Sequence, residues 1–219
     1  CNDIIREEPG QAELSCAEVW ARISEVIAEC ASGTSKDPVE AISTSSMGEA
    51  LVPVNAKGKI CGSSILGMDT RGTSYIKELQ GVISQEDIYT ITGNIPGPGF
   101  SLANLRWLKE KRPDEFKKTA KFIPWADFAT FMLSGELASN EPLVNRTLLY
   151  DISQHQWSAR MAEAAKLDLS ILPPVAKSGT LLGKISKKMA ARLGLPEDPL
   201  RPEGLQTPLD ALQRRPLPD

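Results

Sequence analysis

Glu49 follows the polar run Ser45-Ser46-Met47-Gly48 and precedes the apolar Ala50-Leu51-Val52. A carboxylate on such a loop can accept hydrogen bonds from vicinal hydroxyls. Its alternative role is that of a solvated loop acid. Asp69 stands just before Thr70-Arg71-Gly72, where it either orients its loop or caps a helix. Arg71 carries the planar fork that pairs with carboxylates, whether in a cleft or as a structural ion pair. The run Gly93-Asn94-Ile95-Pro96-Gly97-Pro98-Gly99 invites comparison with a phosphate loop. It lacks the Lys-Ser/Thr of that motif, and its prolines remove amide donors, so it reads as a turn. Residues 109–121 hold six Lys or Arg, but Glu110, Asp114 and Glu115 intersperse them, which describes a solvated helix face.

The single histidine, His155, sits among Gln154, Gln156 and Trp157. It reads as a surface residue, which argues against Ser–His or Cys–His catalysis. The four cysteines, Cys1, Cys16, Cys30 and Cys61, match no CxxC spacing. They read as reduced thiols of a cytoplasmic protein.

Composition bounds the rest. The 219 residues carry a net charge of −3, with 24% charged and 41% hydrophobic residues. That suits one globular domain with a sizeable core. A nucleic-acid partner is not expected without a dense basic stripe. No apolar run is long enough to cross a bilayer, so no membrane partner is expected either. The opening Cys1 to Glu8 is too polar for a secretory signal, and the absence of an initiator methionine points to a missing N-terminus.

The elements that must position these side chains follow from periodicity. Residues 15–31 read as a helix capped by Ser15, with Glu18 at the capping-box position and Val19, Ile23, Val26 and Ile27 at helical spacing. Residues 39–44, 50–55 and 60–66 read as strands, the last two joined by a Lys57-Gly58 turn. Helices are predicted at 70–79, 101–111, 114–120, 125–133, 158–167 and 186–193, with Gly194 closing the last. Trp107 and Trp125 read as core residues on helices. The expected class is α/β in the first third and mostly helical after about Thr92. Residues 198–219, with five prolines and three arginines, read as a disordered tail.

Three ordered stretches carry a resemblance. The first is Ala41-Ile42-Ser43-Thr44-Ser45-Ser46-Met47-Gly48-Glu49-Ala50, followed by Asn55 to Gly58 and by Ile65-Leu66-Gly67-Met68-Asp69-Thr70-Arg71. The second is Gly99-Phe100-Ser101-Leu102-Ala103-Asn104-Leu105-Arg106-Trp107-Leu108-Lys109-Glu110. The third runs from Trp125-Ala126-Asp127-Phe128 through Leu133-Ser134-Gly135-Glu136 to Asn145-Arg146-Thr147-Leu148-Leu149-Tyr150-Asp151. Together these resemble the N-terminal domain of FGGY carbohydrate kinases, the group of glycerol, xylulose and gluconate kinases, over roughly residues 9–196.

That resemblance implies a ribonuclease-H-like α/β domain of the actin-like ATPase superfamily, with a helical elaboration, over residues 1–197. It implies sugar or polyol contacts at Gly48, Glu49, Asp69, Arg71, Gly99 and Phe100. Gly99 would act through close backbone approach, and Phe100 through ring packing or as a core residue.

There are departures. Asn104 stands where the family signature has Lys, and Gly67 replaces a Trp. Gly48 and Gly99 stand where glycerol kinases carry Arg and a sugar-facing Tyr. These argue against glycerol and leave other polyols, ketoses and sugar acids.

The family's phosphate-binding hairpin would precede Cys1. Its second domain, with the catalytic Asp and adenosine site, would begin near Pro199. The reading is therefore a truncated product, incomplete in fold and inactive alone. ATP and Mg2+ would serve only the complete enzyme. The alternative is a non-catalytic sugar-binding or interaction protein descended from such a kinase. Residues 39–44, lacking a neighbouring strand, would expose an open edge and favour homo-oligomers.

Overall fold

The computed structural model describes residues 3–34, 36 and 39–196. In chain order these form β1 (Glu13–Leu14), α1 (Cys16–Gly33), β2 (Leu51–Val54), β3 (Ser64–Ile65), α2 (Thr73–Val82), α3 (Gln85–Thr92), α4 (Ser101–Lys111) and α5 (Pro113–Lys118). There follow β4 (Lys121–Pro124), α6 (Trp125–Ser134), β5 (Ser139–Asn140), α7 (Glu141–Asn145), β6 (Tyr150–Asp151), β7 (Gln156–Trp157) and α8 (Ala159–Ala164). A 3-10 turn at Leu169–Ile171, β8 (Val175–Ala176) and α9 (Lys187–Leu193) complete the order. The tail predicted at 198–219 lies outside the described residues, as do Cys1 and Pro38.

All four residues of β2 are buried, and alternation along the strand explains why. Leu51 joins one apolar cluster with Ile76, Leu79, Leu102, Leu105 and Leu148. Val52 and Val54 join a second cluster with Trp20, Trp125, Phe128, Met189 and Leu193. The antiparallel partner β4 splits the same way, with Phe122 facing the first cluster and Ile123 the second. A strand pair covered on both faces reads as a continuous apolar run rather than an alternating one. Helices α2 and α4 supply the first cluster, and α1, α6 and α9 supply the second. The result is a three-layer arrangement with β2 and β4 at its centre.

Local chemistry sets the helix ends. The Ser15 hydroxyl accepts from the Glu18 amide at 3.4 Å and starts α1. Gly135 and Gly194 close α6 and α9 in the left-handed region, at φ +85° and +67°, which costs glycine no Cβ strain. Most predicted helices are found within a few residues of their expected bounds. Helix α3 was not predicted, although Ser84 caps it through the Asp87 amide at 3.0 Å.

The strands depart further. Residues 39–44 form no strand. Side chains anchor this stretch to α6 instead: Thr44 bonds the Thr130 hydroxyl at 2.9 Å, and Ser46 accepts from the Ala126 amide at 2.9 Å. The central partner of β2 is β4, which was not predicted. The expected edge for self-association is thus an extended, side-chain-tethered segment rather than a laddered strand. The hairpin is real but short. Asn55 Oδ1 accepts from the amides of Lys57 and Lys59, Gly58 turns at φ +69°, and Val54 bridges Ile60. The chain then leaves β2, and Ser64–Ile65 pairs antiparallel with Glu13–Leu14.

Asp127, in the first turn of α6, is 5% exposed. One carboxylate oxygen accepts from Asn140 Nδ2 at 3.0 Å, while Oδ2 and the Ser139 hydroxyl each lack a well-formed hydrogen bond. Burial pushes the Asp127 pKa up to about 6, against the lowering influence of Ser139 and Asn140. Between an unfolded value near 3.8 and about 6 the folded state holds more protons than the unfolded one. Stability from this group is therefore fully present below the lower value and declines as pH rises to about 6. Asp127→Asn should remove that decline, and urea unfolding at pH 4, 5, 6 and 7 checks it. Parallel pH profiles for variant and parent would contradict the assignment.

Candidate functional site

Three loops meet at Glu49. The first carries Gly48 and Glu49 and leads into β2. The second carries Gly67, two residues after β3, and the third carries Gly99 and Phe100 ahead of α4. The Ser101 hydroxyl donates to the Glu49 carbonyl at 2.7 Å and ties the third loop to the first. Two glycines permit the backbones to meet. A Cβ on Gly99 would lie 2.7 Å from the Gly67 carbonyl oxygen, and backbone cannot yield there as a flexible side chain could. Gly99→Ala should therefore cost about 1–3 kcal/mol by overpacking. Thermal unfolding measures this, and an unchanged midpoint would show that the loops are not in contact.

The Glu49 carboxylate is held from the side. Arg146 Nε donates to Oε1 at 2.7 Å, and a second guanidinium nitrogen also reaches Oε1. Both contacts fall on one oxygen, which leaves Oε2, among the described residues, open to a hydroxyl donor. The guanidinium donates in turn to Asn94 Oδ1 at 3.2 Å and lies 4.7 Å from the centre of the Phe100 ring. Asn94 is fixed by donating to the Thr92 carbonyl at 2.8 Å and to Asn145. A Cβ on Gly48 would stand 2.5 Å from Arg146 Cγ, so the Arg146 stem fills the space beside Gly48. The side chains of Glu49 and Arg146 are 25% and 43% exposed, which leaves the pair accessible to a ligand. Acceptor and donor side by side match a vicinal diol, whose hydroxyls both give and take hydrogen bonds.

Of the six residues expected from sequence, Gly48, Glu49, Gly99 and Phe100 come together here. Asp69 and Arg71 lie in a separate buried network. Arg71 Nε donates to both Asp69 oxygens at 3.1 Å, and its terminal nitrogen reaches Asp69 at 2.7 Å and Glu13 at 2.5 Å. Asp69 also accepts from the amides of Ala12 and Arg71, at 2.8 and 3.0 Å. The half-buried Trp107 ring packs against the Arg71 guanidinium at 4.0 Å and the Arg112 guanidinium at 5.1 Å. Burial alone would lower the Arg71 pKa, but its bonds to Asp69 and Glu13 outweigh burial and raise it. Asp69 does not cap α2, whose N-terminus has no side-chain cap; with Arg71 it pins the segment that carries Gly67 to β1.

Arg146 and Asn94 were not singled out from sequence. Asn145-Arg146-Thr147 was visible as part of a motif, but nothing in the sequence indicated that a residue 97 positions away would pair with Glu49. Trp125 is buried as expected, with its indole donating to the Ser64 hydroxyl at 3.0 Å. His155 is exposed beside Glu141, 3.0 Å away. Among the described residues, Cys16 is buried and pushed up to about 12 chiefly by that burial, Cys30 is exposed and Cys61 is half-buried. No group of three His, Cys, Asp or Glu among the described residues could hold a metal ion. Nor is any helix there long and apolar enough to cross a membrane.

Comparison with known proteins gives the family and the fold. The family described as "FGGY family of carbohydrate kinases, N-terminal domain" matches residues 1–199. YoaC of Bacillus subtilis (strain 168), named as a sugar kinase, is 30% identical over 190 residues, covering 85% of this chain and 38% of that protein. Autoinducer-2 kinase of Escherichia coli (strain K12) is 28% identical over 196 residues, covering 87% and 37%. The crystal structure of xylulose kinase from Rhodospirillum rubrum superposes with a TM-score of 0.84 at 25% identity, over 90% of this chain and 41% of that one. The architecture is the actin-like ATPase fold of these kinases, as the sequence motifs implied. The chain spans about two fifths of the length of the relatives it matches.

Proposed function

The chain belongs to the FGGY family of carbohydrate kinases, and on that premise we propose that it is the sugar-binding part of an enzyme that transfers phosphate from ATP to a hydroxyl of a sugar or polyol. The observation that supports this most is the Glu49 carboxylate, tied through one oxygen to Arg146 where three loops converge. In this reading Oε2 of Glu49 accepts a hydrogen bond from one hydroxyl, and the Arg146 guanidinium donates to a neighbouring one. Gly48 makes room for the Arg146 stem, Gly99 lets its loop meet the Gly67 backbone, and the Phe100 ring backs the guanidinium. Asp69 and Arg71 act at one remove, holding the Gly67 segment against β1.

ATP with Mg2+ would supply the phosphoryl group in the complete enzyme. No phosphate-transfer step is assigned to the described residues. The residues of this chain bind and orient the acceptor. The free thiols of Cys16, Cys30 and Cys61 fit a cytoplasmic protein.

This division of labour predicts that the chain alone does not turn ATP over. Incubated with ATP, Mg2+ and a panel of polyols, ketoses and sugar acids, it should release ADP no faster than a heat-killed control. Turnover well above that control would show that the chain carries the whole machinery. Binding of a sugar without turnover is the expected combination.

A further inference from the structure

A small cavity opens beneath Glu49, between β2, β3, β4 and α4. Glu49, Ser63 and Asn104 line it together with the apolar Leu51, Ile65 and Phe122. It has room for about one water-sized group. Asn104 is 6% exposed, and neither its Oδ1 nor its Nδ2 has a hydrogen-bond partner. Buried amides are almost always paired, because an orphaned donor or acceptor loses its hydration without compensation. This one is orphaned at both ends, beside the carboxylate that forms the candidate site.

A hydroxyl is the small group that satisfies both ends at once, donating to Oδ1 and accepting from Nδ2. We propose that this cavity is a subsite for the terminal hydroxyl of the acceptor's hydroxymethyl end, with Asn104 as the residue that reads it. The inference rests on the sugar-binding reading of Glu49. It adds that the acceptor ends in a primary alcohol next to the diol held by Glu49 and Arg146. A site built to bond a hydroxyl discriminates strongly against an analogue that lacks it, because the protein group is then left buried and unpaired.

The test pairs each ligand with its terminal deoxy analogue. The 219-residue chain is titrated, with amide shifts as the readout, using D-xylulose against 1-deoxy- and 5-deoxy-D-xylulose and D-gluconate against 6-deoxy-D-gluconate. The unaltered chain should prefer a hydroxylated ligand over one of its deoxy analogues by about tenfold. Asn104→Leu, similar in shape but apolar, should erase that preference and should not lower the sugar-free melting temperature. Equal binding of both members of every pair by the unaltered chain would overturn the subsite, whatever the variant does. A preference retained in Asn104→Leu would assign the discrimination elsewhere, and the cavity would then hold only a resident water. Binding of none of these ligands would overturn the sugar-binding reading along with the subsite.

Discussion

Arg71→Met is expected to destabilise the fold by about 3–5 kcal/mol, the range for removing one partner of a buried charge pair. The side chains of Arg71, Asp69 and Glu13 are 6%, 1% and 3% exposed. Methionine keeps much of the stem volume and the contact with Trp107. It removes every hydrogen bond the guanidinium makes to the two carboxylates. Of the two acids, Arg112 pairs only with Glu13, at 3.2 Å; it is 30% exposed and also meets Glu115 at 3.7 Å. Asp69 would keep its two amide donors but lose its counter-charge. Much of the loss is the cost of stranding the acids. Asp69→Asn with Glu13→Gln in the Arg71→Met background should therefore recover a large part of it. Urea unfolding of the single and triple variants measures both effects. A loss below about 1 kcal/mol for Arg71→Met would place the pair in the class of exposed ion pairs.

Glu49→Gln is expected to weaken sugar binding between tenfold and a hundredfold, or roughly 1.5–3 kcal/mol for a charge-assisted hydrogen bond. The amide keeps the shape of the carboxylate but loses the charge that Arg146 neutralises. Fold stability should change little, since the pair is part-exposed and such pairs contribute modestly. Titration of the parent and the variant with the same sugars, alongside their melting curves, separates the two effects. Unchanged affinity would remove Glu49 from the site. A collapse of the melting temperature with it would make the residue structural.

The two variants also mark what could be read from the amino-acid order. Helices with a strong cap and 3.6-residue periodicity were legible, as Ser15 with Val19 and Ile23 shows. Strands buried on both faces were harder. Lys121-Phe122-Ile123-Pro124 is four residues long, lacks alternation and sits between two helical stretches, so only its pairing with β2 identifies it. Val39 to Thr44 has strand-like composition, yet hydroxyls at Thr44 and Ser46 bind α6 instead. The Ser84 cap of α3 is present in the sequence, ahead of a helix of only eight residues.

At the site the division is by sequence distance. Gly48, Glu49, Gly99 and Phe100 were legible because they fall in recognisable motifs. Their connection through Arg146 and Asn94 depends on the third dimension. Asp69 and Arg71 were each legible as charged residues on one loop, but not as partners of each other, and their third partner, Glu13, is 58 residues from Arg71. The orphaned amide of Asn104 was visible only as a departure from a pattern, since hydrogen-bond satisfaction is not a property of sequence.

The central claim is that the convergence of Gly48, Glu49, Gly67 and Gly99 binds a sugar or polyol. Amide chemical shifts of the 219-residue chain, followed through titration with D-xylulose and D-gluconate, test it most directly. Saturable shifts are expected at Gly48, Glu49, Gly67, Gly99 and Phe100, with Gly33 and Ser186 unmoved. Shifts centred instead on a second, separate pocket lined by Ile42, Thr130 and Leu181, or no saturable shift at any of the five residues, would contradict it.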